Sequence, residues 1–155
     1  MYIIRHGVKM WNNGKNKYLS HDPPLDEKYN YKIYEIKNIL VNDFEPNCIL
    51  SSPFLRCRQT AEILSNNNIP IYIDPLLREY LGNWKNIQSN NFDTVTYNYI
   101  SNVKIVENFD ELKSRVEMLK QQLKNINNVW VVTHGIIINL LTNRKVNEAE
   151  YIKYR

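Results

Sequence analysis

Of the three histidines in this chain of 155 residues, two share a setting. His6 follows the apolar run Tyr2 to Ile4 and Arg5 and precedes Gly7, while His134 follows Val131-Val132-Thr133 and precedes Gly135. A neutral imidazole is a competent nucleophile toward phosphorus. An arginine beside it suits a phosphoryl group, because the planar guanidinium holds two phosphate oxygens and balances charge that would otherwise repel the attacking nitrogen. Arg5 supplies one such group, and Arg56, in the stretch Ser51-Ser52-Pro53-Phe54-Leu55-Arg56, supplies a second. Arg78-Glu79 adds a further cation and a carboxyl group. A carboxylic acid near the departing ester oxygen donates the proton an alkoxide needs. With charge handled by Arg and His, this chemistry calls for no metal and no other cofactor.

Such a set works only if the fold gathers it. Tyr2 to Ile4, Cys48 to Leu50, Ile69 to Ile73 and Val129 to Val132 read as short apolar strands. Between them Tyr29, Ile33, Ile36, Ile39 and Leu40 fall at helical spacing, as do Leu55, Ala61, Ile63 and Leu64 after the Ser52-Pro53 start signal. The Asn66 to Asn68 run stops that helix, Phe109 to Leu123 predicts another, and Ile136 to Leu141 begins the last. Asp74 to Asn108 has weak periodicity and reads mostly as loop with one short helix. The alternation predicts an α/β fold, a three-layer sandwich with a mostly parallel central sheet and helices on both faces. In such sheets ligands sit beyond the C-terminal strand ends. Both histidines, Arg5, Arg56, Arg78 and Glu79 follow strand ends, so one rim is expected to collect them.

Other chemistries are open to the same residues. His6, His134 and Glu79 are ligand types for a metal hydrolase, but neighbouring arginines repel a cation. A phosphate-recognising module without turnover is the other alternative.

The motifs resemble those of the histidine phosphatase superfamily, also called the phosphoglycerate mutase-like family. Arg5-His6-Gly7 with Trp11-Asn12 is similar to its R-H-G-x-x-x-W-N opening, and Asp22-Pro23-Pro24-Leu25 to its D-x-P-L turn. Ser52-Pro53-Phe54-Leu55-Arg56-Cys57-Arg58-Gln59-Thr60-Ala61 resembles S-P-L-x-R-A-x-Q-T-A. Leu77-Arg78-Glu79 with Gly82 and Trp84 resembles L-x-E-x-x-x-G-x-W with one residue fewer before the glycine, and Thr133-His134-Gly135 the second His-Gly. The resemblance runs from residue 1 to about residue 143 with the motifs in the family's order. It implies that His6 is the phosphorylated nucleophile and that Arg5, Asn12, Arg56, His134 and Gly135 bind the phosphate. Glu79 is the implied proton donor. Lys9 stands where the family usually has Ser or Thr, and Val8 where many members have Glu. The C-terminal strand and tail of larger members are expected to be missing or reduced.

The expected activity is therefore metal-independent hydrolysis of a small phosphorylated metabolite through a phosphohistidine. Mutase-type phosphoryl transfer, an isomerase activity, is the alternative within the family. Substrate contacts are expected from Asn86 to Asn108, with Tyr97, Tyr99 and Lys104 as candidates.

Composition agrees with one packed domain over residues 1–155: 43% of residues are hydrophobic and 23% charged. Twenty Lys and Arg against sixteen Asp and Glu give a net charge of +4, which favours anionic partners, but no basic stripe with interleaved aromatics suggests nucleic acid. Val129 to Leu141, the longest apolar run, is too short and too interrupted to span a membrane, and Arg5, His6 and Lys9 break any signal-peptide core. A cytoplasmic protein is expected, its oligomeric state open, a dimer included. Cys48 and Cys57 read as free thiols. About one residue in seven is Asn, a bias attributed to AT-rich codon usage.

Overall fold

The computed structural model describes residues 1–10, 21–82, 92–101 and 106–155. Its centre is a sheet of five strands: β1 (Tyr2–Arg5), β2 (Cys48–Ser51), β3 (Ile71–Ile73), β4 (Val129–Thr133) and β5 (Tyr151–Lys153), in the order β3-β2-β4-β1-β5. The first four run parallel and β5 is antiparallel to β1 at the edge. A C-terminal strand is thus present: β5, three residues long, pairs along the outer edge of β1.

Helices α1 (Tyr31–Val41), α2 (Leu55–Ser65), α3 (Thr94–Ile100), α4 (Phe109–Lys124) and α5 (Gly135–Thr142), with two 3-10 turns (Glu27–Tyr29 and Pro75–Leu77), complete the described elements. Strand alternation divides the core. Tyr2, Ile4, Ile49, Trp130 and Val132 face α1 and α2 through Ile33, Ile36, Leu40, Ala61 and Leu64. Ile3, Leu50, Val129 and Val131 face α4 and α5 through Leu112, Val116, Leu119, Ile137 and Ile138. A smaller cluster of Phe54, Leu81, Phe92 and Ile100 lies apart from both. Among the described residues no helix is long and apolar enough to cross a membrane.

Local signals explain the element ends. Asn108 and Glu111 close a reciprocal capping box at the start of α4. Helices α2 and α5 end on left-handed asparagines, Asn66 (φ 50°) and Asn143 (φ 56°). Of the five non-glycine residues with positive φ among those described, four are Asn: 66, 67, 128 and 143. In a chain with only four glycines, Asn takes over the turns that glycine usually makes, a conformational use beyond codon bias.

Candidate active site

The C-terminal ends of β1, β2 and β4 lie side by side, with Arg5 in register with Thr133 and Ser51 with Val132. The chain runs on from them into the site. His6 is held by its backbone from both flanks: its N–H donates to the Thr133 carbonyl at 3.1 Å and its carbonyl accepts from Ala149 N–H at 2.9 Å. Ala149 makes that bond from a left-handed φ of 54°, a conformation that costs a residue bearing a Cβ about 1 kcal/mol. Gly7 then passes under α1, where a Cβ would meet Ile33 Cδ1 at 2.6 Å, so only glycine fits without moving that side chain. The following residues pair with the D-x-P-L turn, Met10 N–H donating to Pro24 and Asp26 N–H to Val8.

The imidazoles of His6 and His134 meet edge to face, with centroids 5.3 Å apart, and both are buried. His6 Nδ1 lies 2.8 Å from the Gly7 carbonyl, which fixes the proton on Nδ1 and leaves the Nε2 lone pair free. Burial lowers the His6 pKa well below 6.5, and Arg56 and His134 push it the same way. At neutral pH the nucleophile candidate is therefore uncharged. Burial likewise lowers His134 to about 4, against the opposing pull of Glu79. His134 Nε2 is 2.8 Å from Ser52 Oγ, and its Nδ1 is 3.2 Å from both Arg56 Nη2 and Glu79 Oε2.

Arg56 stands on the first turn of α2, 3% exposed, with Nη2 3.3 Å from Glu79 and Nη1 3.5 Å from Asp22. Asp22 accepts the Leu55 N–H at 2.7 Å and the Thr96 hydroxyl at 2.6 Å, so it caps α2 and anchors α3 at once. Burial raises Asp22 to about 6 even though Thr96 and Arg56 favour its charged form. Burial would raise Glu79 too, but His134 and Arg56 outweigh it and hold the carboxyl well below the usual range.

The structure thus brings His6, His134, Arg56 and Glu79 together. Arg5 lies beside them, turned toward α5: Nη1 donates to the Val146 carbonyl at 2.8 Å, and the guanidinium covers Gly135, where a Cβ would come within 3.1 Å. The Nε–H groups of both Arg5 and Arg56 are buried with no acceptor among the described residues. Asn12 falls outside the described residues, as do Trp11, Trp84, Asn86 and Lys104.

Arg78 does not join the rim. The extended backbone there points successive side chains apart, so Glu79 faces His134 while Arg78 Nη2 binds Glu107 at 3.1 Å, inside a buried cluster with Arg115. Arg58, in the segment that resembles S-P-L-x-R-A-x-Q-T-A, ion-pairs with Asp93 and donates to the Pro53 carbonyl, fastening α3 to the start of α2. Tyr97 packs against the Phe54 cluster, whereas Tyr99 is exposed. Phe54 itself stands edge-on to His134 at 5.2 Å and supplies an apolar wall.

Sequence reasoning missed the supports. Asp22, Ser52 and Thr60 all lie in the motifs above, yet none was assigned a role in the site. Thr60 accepts the Gly7 N–H and donates to the Arg56 carbonyl, and Gln59 accepts the Leu25 N–H. The i, i+4 spacing of Ser52, Arg56 and Thr60 about the start of α2 was the available signal.

His6, Glu79 and His134 present donor atoms within 4.8 Å of one another and could in principle hold a cation. The guanidinium of Arg56, 3.3 Å from Glu79, places a permanent positive charge against one.

The sequence pattern of the histidine phosphatase superfamily (branch 1) matches residues 1–151. The chain belongs to this superfamily. A probable phosphoglycerate mutase of Erwinia tasmaniensis is 31% identical over 80 residues, and that of Escherichia fergusonii 30% over 97. Those matches cover 51% and 62% of this chain but only 37% and 44% of the relatives, so the shared part is less than half of each. Among solved structures, an alpha-ribazole phosphatase from Shigella flexneri superposes with a TM-score of 0.67 at 18% identity, over 97% of this chain and 87% of that one. A mycobacterial glucosyl-3-phosphoglycerate phosphatase gives 0.65 at 18%, with the same coverage. Those two likenesses establish the histidine phosphatase fold, the α/β three-layer arrangement read from the sequence.

Proposed function

We propose that this superfamily member is a metal-independent phosphomonoester hydrolase that works through a phosphohistidine on His6 and acts on a small phosphorylated metabolite in the cytoplasm. The observation that carries the reading is the neutral, buried His6 with its Nε2 free, packed against His134 and within reach of Arg56 and Glu79. His6 Nε2 attacks phosphorus as the ester P–O bond breaks, with Arg56 and Arg5 holding the non-bridging oxygens. The leaving oxygen takes its proton from Glu79. Water then attacks the phosphohistidine, gives a proton back to the Glu79 carboxylate and releases phosphate.

Glu79 is ionised in the ligand-free site because His134 and the Arg56 guanidinium lie against it. A bound phosphoryl dianion competes for that guanidinium and adds a like charge, and both effects raise the carboxyl pKa. Substrate binding thereby loads the acid. The phosphatase titles of the superposing structures support hydrolysis, while the mutase names of the sequence relatives favour transfer to a second hydroxyl as the other reading.

The test is hydrolysis of p-nitrophenyl phosphate in EDTA from acid to neutral pH, comparing wild type with His6→Ala. Activity that survives EDTA and falls by at least about 10⁴-fold in the variant is expected. Turnover that EDTA abolishes, or that His6→Ala retains, overturns the proposal. Phosphoenzyme that passes its phosphoryl group to an added polyol faster than to water would favour the transferase reading.

A further inference from the structure

Beside the catalytic cluster the rim opens into a second concavity of about 390 Å³. Arg5, Gly135, Asn139, Lys145 and Asn147 line it, and His6, Arg56, Glu79 and His134 do not. Its chemistry is one-sided. Arg5 and Lys145 are cationic, Asn139 and Asn147 carry amides, and no carboxylate is in the lining. Glu150, the acid whose charge acts on Arg5, has both oxygens bonded to Asn147, one by its backbone N–H and one by its side chain. Lys145 is exposed and makes no ion pair among the described residues. Arg5 uses Nη1 on the Val146 carbonyl, while its Nε–H has no acceptor among the described residues.

The cavity is also placed to be reached. Arg5 precedes His6 and Gly135 follows His134 in the chain, and the two lie against each other, so the concavity borders the catalytic cluster through this pair. A volume near 390 Å³ suits a small-molecule leaving group. The geometry points to a subsite for a second anionic group of the substrate, a carboxylate or a further phosphate, with Lys145 as the specificity-determining residue. The assignment rests on the hydrolase reading above. A phosphoryl group at His6 leaves the rest of the molecule to cross Arg5 and Gly135, and its second anion meets Lys145 and the Asn139 amide. Charge-assisted bonds to such a group discriminate strongly against a substrate that lacks it.

The experiment compares phenyl phosphate, 3-carboxyphenyl phosphate and 1,3-phenylene bisphosphate in about 0.15 M salt, where diffuse steering is damped. Wild type is expected to favour one of the two doubly anionic compounds by about tenfold in kcat/KM over phenyl phosphate, and which one it favours tells carboxylate from phosphate. In Lys145→Gln that ratio falls toward one, while Lys113→Gln, on the exposed start of α4, keeps it. A wild-type ratio near one, an unchanged ratio in Lys145→Gln, or an equal fall in Lys113→Gln overturns the subsite. Calorimetric binding of the three compounds reads the same ratio without turnover. Absence of hydrolysis with the binding preference intact therefore defeats the hydrolase reading and leaves the subsite standing.

Discussion

The two arginines nearest the histidines live in opposite surroundings. Arg56 is 3% exposed and sits between two carboxylates and an imidazole, on a helix whose start is capped by one of those carboxylates. Arg5 is only partly buried, spends one nitrogen on a backbone carbonyl, and borders an open cavity. Arg56 is part of a charge network that would be costly to leave incomplete, whereas Arg5 makes one side-chain hydrogen bond and borders the cavity proposed as the second-anion subsite. The contrast separates the half of the rim whose charges are already paired from the half whose charge the proposed subsite would use.

Removing each arginine is the strongest way to break that comparison. Arg56→Ala leaves Asp22 and Glu79 without their cation, so it should cost about 3–5 kcal/mol of stability as well as about 10³-fold or more in kcat/KM. Arg5→Ala loses one hydrogen bond to a carbonyl, about 1 kcal/mol, while still lowering kcat/KM steeply. Urea unfolding and p-nitrophenyl phosphate kinetics on both variants check this, and equal stability losses would erase the distinction.

Glu79→Gln tests the acid. Turnover of an alkyl phosphate should fall about 10²-fold, and turnover of p-nitrophenyl phosphate only a few-fold, because nitrophenolate leaves without protonation. Equal losses on both would remove Glu79 from that role.

Acid sensitivity belongs to the buried half. Below pH 6.5 the unfolded chain protonates His6 and His134, while the folded chain keeps them neutral, His134 down to about 4. Asp22 runs the other way, taking its proton at about 6 when folded and near 3.8 when unfolded. Two histidine protons, joined toward pH 4 by that of Glu79, whose carboxyl stays ionised when folded, outweigh the one proton on Asp22 and leave the unfolded state ahead. Stability should therefore fall on acidification between pH 6 and 4, by about 1.4 kcal/mol per pH unit for a net difference of one proton. Urea midpoints at pH 7 and pH 5 read the sign.

Gly135→Ala should have the smallest effect. Its Cβ meets the Arg5 guanidinium at 3.1–3.2 Å, and that end of a flexible side chain moves aside. A few-fold loss of kcat/KM with stability unchanged or raised by about 0.5 kcal/mol is expected, since alanine favours the helix more than glycine does. An unchanged kcat/KM would mean that the position of Arg5 does not matter to turnover.

The order of strands and helices was legible because apolar runs and helical spacing are local, and the strand ends followed from them. The supports were not. Ser52 meets His134 across 82 residues and Thr96 meets Asp22 across 74, and no local pattern records which distant side chain completes a buried bond. The β5 residues show the same limit: three residues carry too little periodicity to announce themselves, and pairing with β1 makes them a strand.

By itself, then, the sequence determined the sheet-and-helix alternation and the arrival of two histidines, Arg56 and Glu79 at one edge, since residue types at strand ends follow from backbone periodicity. Only the tertiary structure decided that Arg78 turns to Glu107 while Glu79 turns to His134, that Arg56 is locked between carboxylates, and that Arg5 faces the cavity with Lys145. Side-chain direction beyond a strand end is set by what packs against it, and every one of those neighbours comes from a different part of the chain.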